Sequence, residues 1–185
     1  MGQFQDFDRK YGPAEHAVVP DAAAIERYRG QLPDALLAEW RDVGWCSYGN
    51  GLLWLTDPAQ LSDIVEDFGE LEGAGKPLVF LRTAFAHLYF WHNGAVFSLE
   101  VHRGSLSQVT PRIERMFTLL CDKEIAEKIL RVSLYQEAVA RLGPPARDEC
   151  YAFEPALALG GPGTADTIRR VAVREHLGIL AQLNR

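Results

Sequence analysis

Apolar positions along this chain follow two periods, and the places where the period changes mark its elements. Leu36, Trp40 and Val43 recur at i, i+4 and i+7, which predicts a helix over 33–43 with one buried stripe. Pro33 suits the first position of that helix, because the N–H that proline lacks would have had no intrahelical partner there. Leu61, Ile64, Val65 and Phe68 repeat the spacing after Asp57-Pro58, a side-chain cap followed by proline. Thr110-Pro111 opens a third segment of the same kind, with Ile113, Met116, Phe117 and Leu120 on one side. Asp122 caps a longer predicted helix, 123–142, that aligns Ile125, Ile129, Val132, Val139 and Leu142 before Gly143-Pro144-Pro145 stops it. A short helix over 21–29 ends at Gly30, and a closing helix over 174–183 turns Leu177, Leu180 and Leu183 inward.

In the middle of the chain the period falls to two. Strands are predicted over 78–83, 86–92 and 95–102, the last two joined by Asn93-Gly94. Both positions of a two-residue hairpin turn require positive φ, which Asn-Gly accepts most readily. The register follows: 92 opposes 95, 90 opposes 97, 88 opposes 99 and 86 opposes 101. One face is then Ala86, Leu88, Phe90, Ala95, Phe97, Leu99 and Val101, apolar and expected to meet helices. The other carries His87, Tyr89, Trp91, Val96, Ser98, Glu100 and His102, and is expected to be half exposed. Shorter strands are expected over 52–56, 106–109 and 168–173. The stretch 6–20 reads as an extended entry with a turn at Tyr11-Gly12-Pro13, 47–51 as a bent loop between Trp45 and Trp54, and 69–77 as a mobile linker with three glycines. Together these predict an α+β fold: a central antiparallel β-sheet of hairpin or meander type flanked by helices, with an N-terminal helical segment and a C-terminal helical subdomain.

Composition narrows the class without naming an activity. The 185 residues suit one domain, or two small lobes sharing a core. No apolar run approaches the ~20 residues that cross a bilayer, and the polar, acid-bearing start lacks the layout of a secretion signal, so a cytoplasmic protein with no membrane partner is expected. Cys46, Cys121 and Cys150 are odd in number and far apart, which fits packed thiols better than a disulfide framework.

The net charge of −6 is concentrated in one place. Between Asp57 and Gly75 stand Asp57, Asp63, Glu66, Asp67, Glu70 and Glu72 with no lysine or arginine, and the rest of the chain balances 19 acids against 19 bases. Such a segment is either a solvated helix face or a patch that attracts a basic partner. Direct binding of nucleic acid there is disfavoured, since carboxylates repel phosphates.

Catalytic motifs are sparse. Gly160-Gly161-Pro162-Gly163 lacks the Gly-Lys-Ser/Thr ending of a phosphate-binding loop, and Cys150 lies beside acids that do nothing to favour a thiolate. His176 sits between apolar neighbours and reads as a core residue. One constellation remains. The hairpin register sets His87 opposite Glu100 with His102 a diagonal step away, a trio that could hold zinc, act as an acid–base pair, or form a cross-strand hydrogen bond of no functional consequence.

The run through Tyr11-Gly12-Pro13, Tyr28-Arg29-Gly30, Leu32-Pro33, Trp40, Gly44-Trp45 and Tyr48-Gly49-Asn50-Gly51-Leu52 resembles the GAD-like domain of bacterial proteins. Arg82-Thr83-Ala84-Phe85 and Leu88-Tyr89-Phe90-Trp91 continue the likeness. The tail, with Asp148-Glu149-Cys150-Tyr151, Pro155-Ala156-Leu157 and Glu175-His176-Leu177, is similar to the C-terminal domain that usually follows it, in the immunity proteins paired with type VI secretion DNase effectors. The resemblance implies a GAD-like domain over 1–109 and an immunity-type domain over 110–185 that share one core. It implies no enzyme, no cofactor and no metal, and as partner a cognate toxin, a basic nuclease. An acidic surface of Asp63, Glu66, Asp67, Glu70 and Glu72 is the expected contact. The alternatives are a metal-binding or hydrolytic protein built on His87, Glu100 and His102, and an orphan regulatory module of the same fold.

Overall fold

The computed structural model describes residues 4–184, so the outermost residues of the two expected domains, 1–3 and 185, lie outside the described residues. Seven strands form one antiparallel sheet in strict sequence order: β1 (Glu15–Val18), β2 (Trp45–Tyr48), β3 (Leu53–Leu55), β4 (Leu78–Thr83), β5 (Leu88–His92), β6 (Ala95–Glu100) and β7 (Ser105–Thr110). The β5–β6 register is the one that Asn93-Gly94 predicts, with Leu88 opposite Leu99, Phe90 opposite Phe97 and His92 opposite Ala95. A two-stranded sheet, β8 (Glu149–Phe153) and β9 (Ile168–Ala172), follows the last interior helices.

Helices cover both faces of the large sheet. On one side α4 (Pro58–Val65) and α8 (Val173–Leu183) set Leu61, Ile64, Val65, Leu177 and Leu180 against Val79, Leu88, Phe90 and Leu99. On the other, α1 (Gln5–Tyr11), α3 (Asp34–Asp42), α5 (Ile113–Cys121), α6 (Lys123–Leu130) and α7 (Val132–Leu142) cover a larger core that holds Trp40, Tyr48, Phe80, Tyr89, Val96 and Phe117. A short α2 (Ala22–Arg27) precedes α3 and is capped by the Asp21 side chain. The second hairpin face is half exposed only in part, with His102 buried and His87 half buried at its end. Tyr89 and Val96 are buried beneath α5, and Trp91, Ser98 and Glu100 are half buried.

Three segments depart from the sequence pattern. Residues 6–20 contain α1 and β1 instead of an extended entry. Phe4, Phe7 and Tyr11 fall at helical spacing, and Phe7 meets Tyr48 and Phe117 edge-on at 5.0 Å each. The loop 47–51 begins inside β2, and the reversal into β3 is made by Gly49, Asn50 and Gly51, all with positive φ. The helix over 123–142 is two helices. Arg131, at φ 54° and ψ 49°, ends α6 in the left-handed region and starts α7 in a new direction. Buried positions are accordingly Ala126, Leu130, Tyr135 and Ala138 rather than the expected stripe.

Contacts between residues before and after 110 are extensive. Phe4 stacks on Phe117 at 3.8 Å, Tyr135 donates its hydroxyl to the Asn50 carbonyl at 2.5 Å, and the Tyr151 amide donates to Ala84 at 2.7 Å. Arg82 is 1% exposed and makes no ion pair among the described residues, although the Asp148 carboxylate lies within its field. Its guanidinium donates to the carbonyls of Ala146 and Arg147 at 3.2 and 2.6 Å. Trp54 is flanked by Arg82 and Arg147, each 5.2 Å from the ring centre. Burial brings the Arg82 pKa down to about 10, well above neutrality, so the side chain keeps its charge.

Candidate functional site

The acidic segment occupies α4, the 3-10 turn Glu66–Phe68 that extends it, and the glycine-containing loop beyond. Leu61, Ile64 and Val65 are drawn into the core, which leaves the intervening carboxylates on the outside. The six acids do not act as one set. Asp57 caps α4 by accepting from the Ala59 amide at 3.0 Å, and it also accepts the Tyr28 hydroxyl at 2.7 Å. Asp63 forms a two-pronged ion pair with Arg174 on α8, whose guanidinium also donates to the Gln60 carbonyl at 2.6 Å. The hydrogen bonds from Arg174 hold the Asp63 carboxyl below its ordinary range. Asp67 lies within the field of the same arginine. Glu66, Asp67, Glu70 and Glu72 are exposed. The loop they lead into is tied down at one point, where the Glu72 carbonyl accepts from Asn93 at 2.9 Å and lies 3.0 Å from the His92 ring.

The histidine trio is built differently from its expectation. β5 starts at Leu88 and β6 ends at Glu100, because Ala86 (φ 62°) turns tightly back from β4 and a turn follows Glu100. His87 and His102 thus flank the strands instead of lying within them. His87, Glu100 and His102 do line one cavity, together with Lys128 and Arg131. They do not make a metal centre: among the described residues no three His, Cys, Asp or Glu side chains could hold an ion. Glu100 pairs with Arg103 at 3.5 Å, while the His102 ring faces Phe153 at 5.2 Å and His176 at 6.0 Å.

All three of these histidines are neutral at pH 7. Burial pushes His87 and His176 down to about 4; burial, then the neighbouring His176 and Arg131, pushes His102 down to about 3. The backbone of Phe85 lies close enough to favour protonated His102 slightly, yet neither ring nitrogen completes a hydrogen bond. Cys46 and Cys150 are buried, with burial raising both thiols to about 12, so neither is a ready nucleophile. Sequence reasoning missed Arg131 in this region. Nothing local signals its left-handed backbone, since arginine in a helical run is ordinary.

The chain matches the GAD-like domain family over residues 3–104 and the family described as T6SS immunity protein Tdi1, C-terminal, over residues 112–184. Among solved structures it is similar to Atu4351 from Agrobacterium tumefaciens, at 18% identity and a TM-score of 0.76, over 97% of this chain and 88% of that one. At that identity the likeness speaks for the fold. No curated protein matches significantly.

Proposed function

This chain belongs to the GAD-like domain family and carries a type VI immunity domain behind it, and from that premise we propose that it neutralises a cognate toxin, a basic nuclease, by binding it directly. The observation that carries the reading is the order of the two matches, which together span nearly all of the chain and end in an immunity domain. The protein acts as a folded surface and transforms no substrate. It works in the cytoplasm, where an incoming or newly made toxin would meet it.

The chemistry of the surface supports the nature of the partner. A nuclease needs positive charge to hold phosphate, and a carboxylate-rich face both steers it and competes for the same groups. Glu66, Asp67, Glu70 and Glu72 are exposed for that purpose, with Asp63 beside them but engaged by Arg174. Co-expression with the product of a secreted-nuclease gene found adjacent to this one tests the reading. Growth is restored if the chain is an immunity protein; continued killing with the chain folded and abundant contradicts it.

A further inference from the structure

Between the end of β6 and the break between α6 and α7 lies a cavity of about 260 Å³, lined by Phe85, His87, Glu100, His102, Lys128 and Arg131. Its size falls below the ~300–1,000 Å³ of drug-sized ligand pockets, so it suits a head group and not a nucleotide. Some of the polar groups around it lack partners among the described residues. Nε2 of His87 and both ring nitrogens of His102 are buried without a hydrogen bond, and His102 is 3% exposed. A neutral imidazole carries one N–H donor, and a buried site leaves it costly to keep unpaired.

Three cations line the same space, Arg103, Lys128 and Arg131, and the first is paired with Glu100. Arg131 is half buried, with its guanidinium 5.2 Å from the Phe153 ring centre and 6.0 Å from that of Phe85; the two rings are stacked on each other. Among the described residues neither Arg131 nor Lys128 makes a side-chain hydrogen bond or ion pair. A guanidinium packed against aromatic rings keeps its in-plane N–H groups available for an acceptor, and that fork fits an oxyanion. Glu100 is the one carboxylate in the lining, and it is paired with Arg103. Arg131 also holds a left-handed backbone that non-glycine residues seldom adopt, a form of strain that concentrates at binding sites.

We infer that this cavity binds a small tetrahedral oxyanion of the phosphate class, held by Arg131 and Lys128 with imidazole N–H groups of His87 and His102. The site is independent of toxin binding, so it stands or falls on the isolated protein. Titrating inorganic phosphate at constant ionic strength, followed by the side-chain NMR signals of the histidines, tests it. The wild-type chain shows saturable shifts at His87 and His102. Arg131→Gly, which keeps the backbone conformation that glycine favours, and the exposed Lys128→Gln each weaken binding about tenfold or more. Arg174→Gln, on the other side of the sheet, leaves it unchanged. Phosphoserine as a second probe separates the sources: tighter binding than phosphate indicates an ester-linked group, weaker binding a free ion, and either supports the site. Absence of saturable shifts at those histidines with both probes, or equal affinity in the folded Lys128→Gln variant, overturns the inference.

Discussion

Arg82 shows how one buried charge fastens the tail to the sheet. Among the described residues it makes no ion pair, and its hydrogen bonds run to main-chain carbonyls of Thr83, Ala146 and Arg147. Arg82→Met keeps the length and the contact with Trp54 but leaves those acceptors unpaired. Urea unfolding should show a loss of about 2–3 kcal/mol, since each buried unpaired group costs about 1–3 kcal/mol. His87, His102 and His176 make a second prediction. Their folded pKa values, about 4, 3 and 4, lie below the ordinary 6.5, so between these limits the unfolded chain binds protons that the folded chain refuses. Stability is unaffected by these groups above pH 6.5 and falls as the pH drops from 6.5 towards 4. His102→Leu should flatten that fall by up to about 1.4 kcal/mol per pH unit, read from unfolding midpoints across the range. An unchanged slope would show that His102 is protonated as easily in the folded chain as in the unfolded one.

Among the elements, α4 and α8 are joined outside the core by Asp63 and Arg174, whose side chains are 59% and 54% exposed. An ion pair so open to solvent contributes below about 1 kcal/mol. Asp63→Asn should therefore shift thermal unfolding by only a few degrees at most, because Leu61, Ile64, Leu177 and Leu180 hold the two helices together. The legible elements were those whose signal is local. Asn93-Gly94 set the hairpin register, and Asp57-Pro58 placed α4; α3 and α5 begin near Pro33 and Pro111 but without a side-chain cap, and Pro33 stands just before the first helical position. The entry helix α1 was not legible, because its apolar positions are aromatics scattered among charges and its helicity depends on Phe117, more than a hundred residues away. Nor could the sequence show which part of the sheet's second face is buried, since Tyr89 and Trp91 suit either a covered or a half-open surface. The break at Arg131 is set by how α6 and α7 pack, and it carries no local mark.

At the scale of the whole molecule, one sheet is sandwiched between two unequal helical layers, and the acidic segment projects from the smaller layer. The candidate contact surface was legible as charge, which composition reveals directly. Its division was not: only the folded chain shows Asp57 used as a cap and Asp63 held by Arg174. If this face meets the toxin, reversing Glu66, Glu70 and Glu72 to lysine slows association and flattens its dependence on salt, while stability changes little. Unaltered association kinetics would move the contact to another face and leave the immunity reading intact. That reading is tested most directly by calorimetric titration of the purified chain against the purified product of a toxin gene found adjacent to its own. Tight, saturable binding that abolishes the toxin's activity is the predicted result; two folded proteins that give no complex, with the toxin fully active, would contradict it.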